Sequence, residues 1–394
     1  METLHTVLKR GCSIWDKELV PEAELRARLS RVRQGMEERG LDLVLVYGDS
    51  RRFGHLAFVS HFMPKNRGAL AAIPRQGAPA LVVQEPDRNN PFSRTLTWFE
   101  EVRSAGRFGE GLGAALEARG IRPKRVGLAG VEEQMAIREW DGLARMLEGA
   151  EFFDFGAHLG SLRLIKSASQ QALLKKAGRV LEDALARFAR ELRPGQKEYE
   201  IAALAELEAR RQGVEDFQLL VARSTEPHVG LRPAGAATIH KGESLLVSVA
   251  ASCQRHWAEL GRTFSLGRPQ PDLSRGHALA RAIFRQLVAG IKVGSPAGAA
   301  PDWLKEVPAA VTRSLKAYGL GNGLGLDLVE EPFLGREGAV IEPGMALTLR
   351  VCLTGDGAGP GLISQPFLVT EGGLKPLLER VEELVVVEDH PAHG

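Results

Sequence analysis

The 394-residue chain carries 51 Lys and Arg against 49 Asp and Glu, a formal net charge of +2, with 25% of its residues charged. That balance gives no basis for nucleic acid or a membrane surface as a partner, and no apolar run approaches the roughly 18 residues of a membrane span. The length suffices for two domains around a large buried core.

The N-terminal stretch METLHTVLKRGCSIWDKE lacks the apolar region of a signal peptide, so a cytoplasmic location is expected. Cys12, Cys253 and Cys352 are too few and too scattered for a disulfide framework or a CxxC metal knot. Residues 23–40 repeat apolar positions at helical spacing and stop at Gly40, and LDLVLVYG after it has strand length. ALAAIP and PALVVQ read as a strand pair, FGEGLGAALEARG as a helix and KRVGLAG as a further strand. The pattern predicts an alternating α/β domain ending near residue 155.

A long amphipathic helix follows, with Leu173, Leu174, Ala177, Leu181, Ala184, Leu185 and Phe188 on one face. Pro194 and Gly195 end it, and a second helix from about Glu198 to Arg211 stops at Gly213. Strands are expected around 217–222, 244–251, 258–266, 345–354 and 361–370, with helices near 273–290 and 301–318. Strands mixed with packed helices make the second half α+β.

Six segments in fixed order carry a resemblance. They are LRLIKSASQQALLKKA, RPGQKEYEI, HKGESLLVSVAA, WAELGRTFSLG, the stretch GNGLGLDLVEEPFLGREGAVIEPGMALTLR, and GLISQPFLVTEGG. Together they resemble the creatinase/aminopeptidase P/prolidase family, the M24-type "pita-bread" hydrolases. The resemblance implies an RNase H-like α/β N-terminal domain over residues 1–158, an α+β pita-bread domain over 159–394, and a homodimer.

Metal enzymes of that family hold two cations with two Asp, one His and two Glu. Here those positions read Ser248, Glu259, Asn322, Arg350 and Gln365. A hydroxyl and two amides are poor donors to hard cations, and a guanidinium cannot lose its proton. Neither a metal nor another cofactor is therefore expected. Arg350 can instead pair with Glu259, leaving Ser248, Asn322 and Gln365 as neutral groups around it.

The resemblance also places His228, in STEPHVGLRP, on the family's substrate-side P-H motif, where the metal-free creatinase type uses its histidine as general acid and base. Glu330 survives from the HExP motif although Val329 replaces its His, and pairing with Arg350 is as open to it as catalysis. Arg67 precedes an apolar strand as a creatinase arginine does; it is either a substrate contact or a solvated turn residue. His256 reads as an exposed loop residue and Arg262 as structural.

The leading expectation is a metal-independent enzyme acting on a small, polar, anionic substrate. Its chemistry would be C–N hydrolysis, or elimination or rearrangement, with His228 and Glu259 catalytic. Arg350, Asn322, Gln365, Ser248, Arg67 and Glu330 would bind the substrate. The alternative is a noncatalytic protein of the same fold that binds a peptide or a partner protein.

Overall fold

The computed structural model describes residues 11–65, 67–226, 229–298, 307–336, 338–355, 357, 359–379 and 382–388. The chain divides into two compact units, Met1–Arg163 and Leu164–Gly394.

The first unit is built on a mixed sheet of six strands: β1 (Leu43–Asp49), β2 (Gly68–Pro74), β3 (Ala80–Val83), β4 (Glu101–Ser104), β5 (Arg125–Ala129) and β6 (Glu151–Asp154). Their order is β4-β3-β2-β1-β5-β6. β2 runs antiparallel to both of its neighbours, while β3–β4, β1–β5 and β5–β6 are parallel. Both β1 and β2 are buried almost throughout, which is why they read as continuous apolar runs rather than alternating ones. The helix Phe108–Glu117 lays Phe108, Leu112 and Leu116 on this sheet beside Tyr47 and Val82.

The second unit wraps one ten-stranded sheet: β7 (Asp216–Arg223), β8 (Arg232–Pro233), β9 (Ser244–Cys253), β10 (His256–Leu266), β11 (Gly321–Gly323), β12 (Glu330–Phe333), β13 (Ala346–Gly355), β14 (Gly359–Thr370), β15 (Gly373–Pro376) and β16 (Val385–Val387). Eight lie in the order β12-β11-β13-β14-β10-β9-β7-β8, with β15 on β14 and β16 on β10. Every pairing is antiparallel except β10–β16. This is the curled antiparallel half-barrel of a pita-bread domain, and with the mixed-sheet α/β unit it gives the fold class the sequence implies.

Helices cover one face of this sheet. Ser167 opens the helix Ala168–Glu191 with a reciprocal capping box to Gln170. Its apolar stripe meets Leu245, Val247 and Val249 of β9 and Leu260 and Phe264 of β10, with Phe188 and Phe264 rings 5.0 Å apart. The helix Pro271–Gly290 covers Leu349, Val351 and Leu353 of β13 and Ile363 and Phe367 of β14. Its Gly276 is obligatory: a Cβ there would lie 2.3 Å from the Gly359 carbonyl carbon. Because side chains alternate along a strand, these helix-facing residues leave Ser248, Glu259, Arg350 and Ser364 on the opposite face.

The helix expected from 301 to 318 is described as Ala309–Tyr318, after Pro308; residues 301–306 lie outside the described residues. No described helix is long and apolar enough to cross a membrane.

Candidate functional site

Four central strands deliver the polar residues. β9 and β10 form a hairpin in which Ser248 stands opposite Gly261 and Glu259 opposite Ala250. β10 meets β14 at Gly261–Ser364, and β14 meets β13 at Ser364–Arg350. Directly opposed residues in an antiparallel ladder share a face, so this register carries Ser248, Glu259, Ser364 and Arg350 to one place. β11 adds Asn322, opposite Thr348. Gly323 permits that approach, since a Cβ there would lie 2.0 Å from the Glu331 carbonyl oxygen.

The cluster centres on a bidentate ion pair. Arg350 Nε donates to Glu259 Oε1 at 2.8 Å, and Nη2 donates to Oε2. The Arg350 Nη1 donates to the Tyr318 carbonyl at 3.1 Å, and Nη2 also reaches Asn322 Oδ1 at 3.5 Å. Glu259 Oε1 accepts from Ser364 Oγ at 3.1 Å and from Ser248 Oγ at 3.5 Å. Burial alone would lower the Arg350 guanidinium, but the charge and hydrogen bonds of Glu259 outweigh it and the net shift is upward. One carboxylate and one guanidinium leave the cluster without net charge.

Three sequence expectations need correction. Gln365 is not part of the cluster. Ile363, Phe367 and Val369 fix the odd positions of β14 on the helix-covered face, and Gln365 falls among them, donating to the Glu379 carbonyl at 2.7 Å. The β14 residue that reaches Glu259 is its neighbour Ser364, which sequence reasoning missed; the apolar alternation along β14 is the signal that finds it. Glu330 faces Lys166, whose Nζ lies 3.4 Å from its Oε1, rather than Arg350. His256 is fully buried, with Nδ1 2.7 Å from the Gln254 carbonyl and Nε2 3.3 Å from Gln170 Nε2.

Arg262 is structural, as read: it donates to the Gly261 and Ser364 carbonyls, and burial pushes it down to about 10. Arg67 is exposed in the first unit. His228 lies outside the described residues.

Residues 172–388 match the family model described as metallopeptidase family M24, and residues 28–165 match the creatinase/prolidase N-terminal domain. The chain belongs to metallopeptidase family M24. This M24 chain is similar to an uncharacterized peptidase of Bacillus subtilis, 27% identical over 263 residues that span 64% of this chain and 71% of that protein. It is also similar to a Xaa-Pro dipeptidase of Pyrococcus horikoshii, 24% identical over 234 residues, 56% of this chain and 64% of that one. Among solved structures, the X-Pro aminopeptidase from Thermotoga maritima superposes with a TM-score of 0.78 at 20% identity, over 91% of this chain and 99% of that one. The prolidase from Pyrococcus horikoshii superposes with a TM-score of 0.75 at 20% identity, over 91% and 100%. At such identities the superpositions establish the fold alone.

M24 membership implies metal, so the donor set has to be tested against it. At the positions the resemblance assigns to ligands, this M24 chain offers one carboxylate, and both of its oxygens face a guanidinium. Like charges about 4 Å apart repel by about 4 kcal/mol at an effective dielectric of 20, and a dication doubles that. Among the described residues, no group of three or more His, Cys, Asp and Glu is gathered to hold a metal ion. The residues at these positions do not fit a pair of divalent cations.

Cys352 stands two residues from Arg350 on the same face of β13. Burial raises its thiol to about 12, and burial likewise raises Cys253 to about 11. Cys12 is exposed. Since the thiolate is the reactive form, native protein at pH 8 is expected to give one fast equivalent in a thiol titration, at Cys12. Two further equivalents should follow only on unfolding; a second fast thiol in native protein would show that β9 or β13 is more open than described.

Proposed function

We propose that this M24 chain works without metal, on a small carboxylate-bearing molecule, with Arg350 as the group that receives the carboxylate. The observation that carries the proposal is the Arg350–Glu259 pair at the centre of the pita-bread face. A guanidinium presents a rigid fork of donors suited to a carboxylate. An incoming carboxylate can replace Glu259 on Arg350 without leaving the guanidinium unpaired, because one anion is exchanged for another. The exchange leaves Glu259 with the Ser248 and Ser364 hydroxyls alone, a loss that the substrate's own contacts must offset for Glu259 to assist as a base.

C–N hydrolysis is the reaction the family membership supports, in line with the peptidase names of the similar proteins. In this scheme His228 takes a proton from the attacking water as its oxygen bonds to the carbonyl carbon. It then returns that proton to the nitrogen as the C–N bond breaks. A homodimer in the cytoplasm is part of the same proposal.

The test is a metabolite screen with chelator present, comparing wild type with His228→Ala. A carboxylate-bearing compound should be consumed by wild type alone, whereas identical profiles across a broad library would overturn the enzymatic scheme. A second reading, a noncatalytic protein that binds a peptide or partner, is favoured by one specific fact. Both Glu259 oxygens and every Arg350 nitrogen already have partners. On that reading binding survives His228→Ala and no compound is consumed.

A further inference from the structure

The helix Ala309–Tyr318 ends beside Arg350. Its last residue, Tyr318, gives its carbonyl to Arg350 Nη1 at 3.1 Å, and two residues on, the Leu320 carbonyl accepts the Arg350 backbone N–H at 2.9 Å. A cation at a helix C-terminus is favourable, so this contact fixes the edge of the guanidinium that Glu259 leaves uncovered.

The side chain of the same residue reaches a different part of the chain. The Tyr318 hydroxyl accepts the Leu231 backbone N–H at 3.3 Å and shares a hydrogen bond with Thr354 of β13. Its ring packs with Leu231 against Ala222, Leu246, Cys352 and Leu362, the apolar residues next along the face from Ser248, Arg350 and Ser364. The hydroxyl is closely seated: a Cβ on Gly230 would lie 2.1 Å from its oxygen. Burial raises the phenol above its ordinary value, so the hydroxyl keeps its proton.

What the phenol holds is the connection from β7 to β8, in which His228 stands. Charge clamps that connection to its own hairpin. Arg232 Nη2 donates to Glu226 at 3.1 Å, the Val229 N–H bonds back to the Glu226 carbonyl at 3.1 Å, and Arg232 is held on Glu198 at 2.6 and 2.9 Å. Tyr318 ties the same connection to Arg350.

We infer that Tyr318 is a positioning residue for the reaction proposed above, its backbone setting the Arg350 guanidinium and its phenol setting the connection that carries His228. One side chain then fixes the group that receives the carboxylate relative to the chain that bears the acid–base group. The inference rests on that reading of Arg350 and His228.

Tyr318→Phe removes the hydroxyl and keeps the ring and the carbonyl. In hydrogen exchange of the full chain, with no ligand added, the Leu231 amide should exchange at least about tenfold faster in Tyr318→Phe, with protection along β13 unchanged. Gly230→Ala should lower the urea midpoint more in wild type than in Tyr318→Phe, where the oxygen in its way is gone. The strain of a Cβ at φ 72° is common to both backgrounds and cancels. In the chelator-treated metabolite screen, Tyr318→Phe should consume the same compound as wild type, with kcat at least about tenfold lower and KM within about twofold, because the Arg350 contact runs through the backbone. Unchanged Leu231 exchange, an equal Gly230→Ala penalty in both backgrounds, or full kcat in Tyr318→Phe would each overturn the assignment to Tyr318. A wild type that consumes nothing, with Leu231 and Gly230 behaving as expected, would instead overturn the enzymatic reading and the positioning role with it.

Discussion

Arg350→Met is expected to lower folding stability by about 3–5 kcal/mol, the usual cost of removing one partner from a buried ion pair. Glu259 is left with the Ser248 and Ser364 hydroxyls, two neutral contacts in place of a two-point charged one. Its side chain is only 6% exposed, so water cannot replace the guanidinium. Glu259→Gln should cost less, because Arg350 is 16% exposed and keeps the Tyr318 carbonyl. The double variant Arg350→Met/Glu259→Leu should recover much of the loss, since apolar replacement of both partners removes two desolvation penalties at once. Urea unfolding of the four proteins measures the coupling. Single variants within about 0.5 kcal/mol of wild type would mean the pair is solvated and the face open.

A comparable loss is expected from Glu215→Leu, far along the sequence from the cluster. β9 and β10 are joined through Gln254 and Arg255, both at positive φ, 45° and 68°. That is the geometry of a two-residue hairpin turn that Asn-Gly would adopt at little cost. Here two bulky residues hold it, and Glu215 is the reason. Its carboxylate accepts the Arg255 backbone N–H at 2.6 Å and the Arg255 Nη1 at 2.9 Å, with both side chains fully buried. Removing the carboxylate takes the charged partner from a guanidinium that is already fully buried and the acceptor from the turn's backbone N–H, so about 3–5 kcal/mol is expected. Because Glu259 lies four residues beyond Arg255, the variant should also loosen the Arg350 pair. Hydrogen exchange along β9 and β10 would show it, and unchanged protection there would separate the turn from the site.

The helix Ala168–Glu191 was legible because its apolar residues repeat at a helical period over several turns, and the same residues form its buried face. The Arg350–Glu259 pairing was legible from charge alone, since one cation and one carboxylate remained among the ligand positions. Other features were hidden by distance. Glu330 meets Lys166 across more than 160 positions, and no local pattern announces such a contact. His256 looked exposed because the turn before it carries polar residues; Glu215, distant in sequence, is what turns that hairpin inward. Gln365 was assigned by motif position. The alternation of Ile363, Phe367 and Val369 along β14 outranks it and brings Ser364 to Glu259.

The central claim is that a guanidinium–carboxylate pair stands where relatives of this fold would hold cations. Calorimetric titration of Mn²⁺ into chelator-stripped protein tests it most directly. The account predicts no stoichiometric binding, in wild type or in Glu259→Gln. Tight uptake of one or two equivalents per chain by wild type, lost in Glu259→Gln, would contradict it.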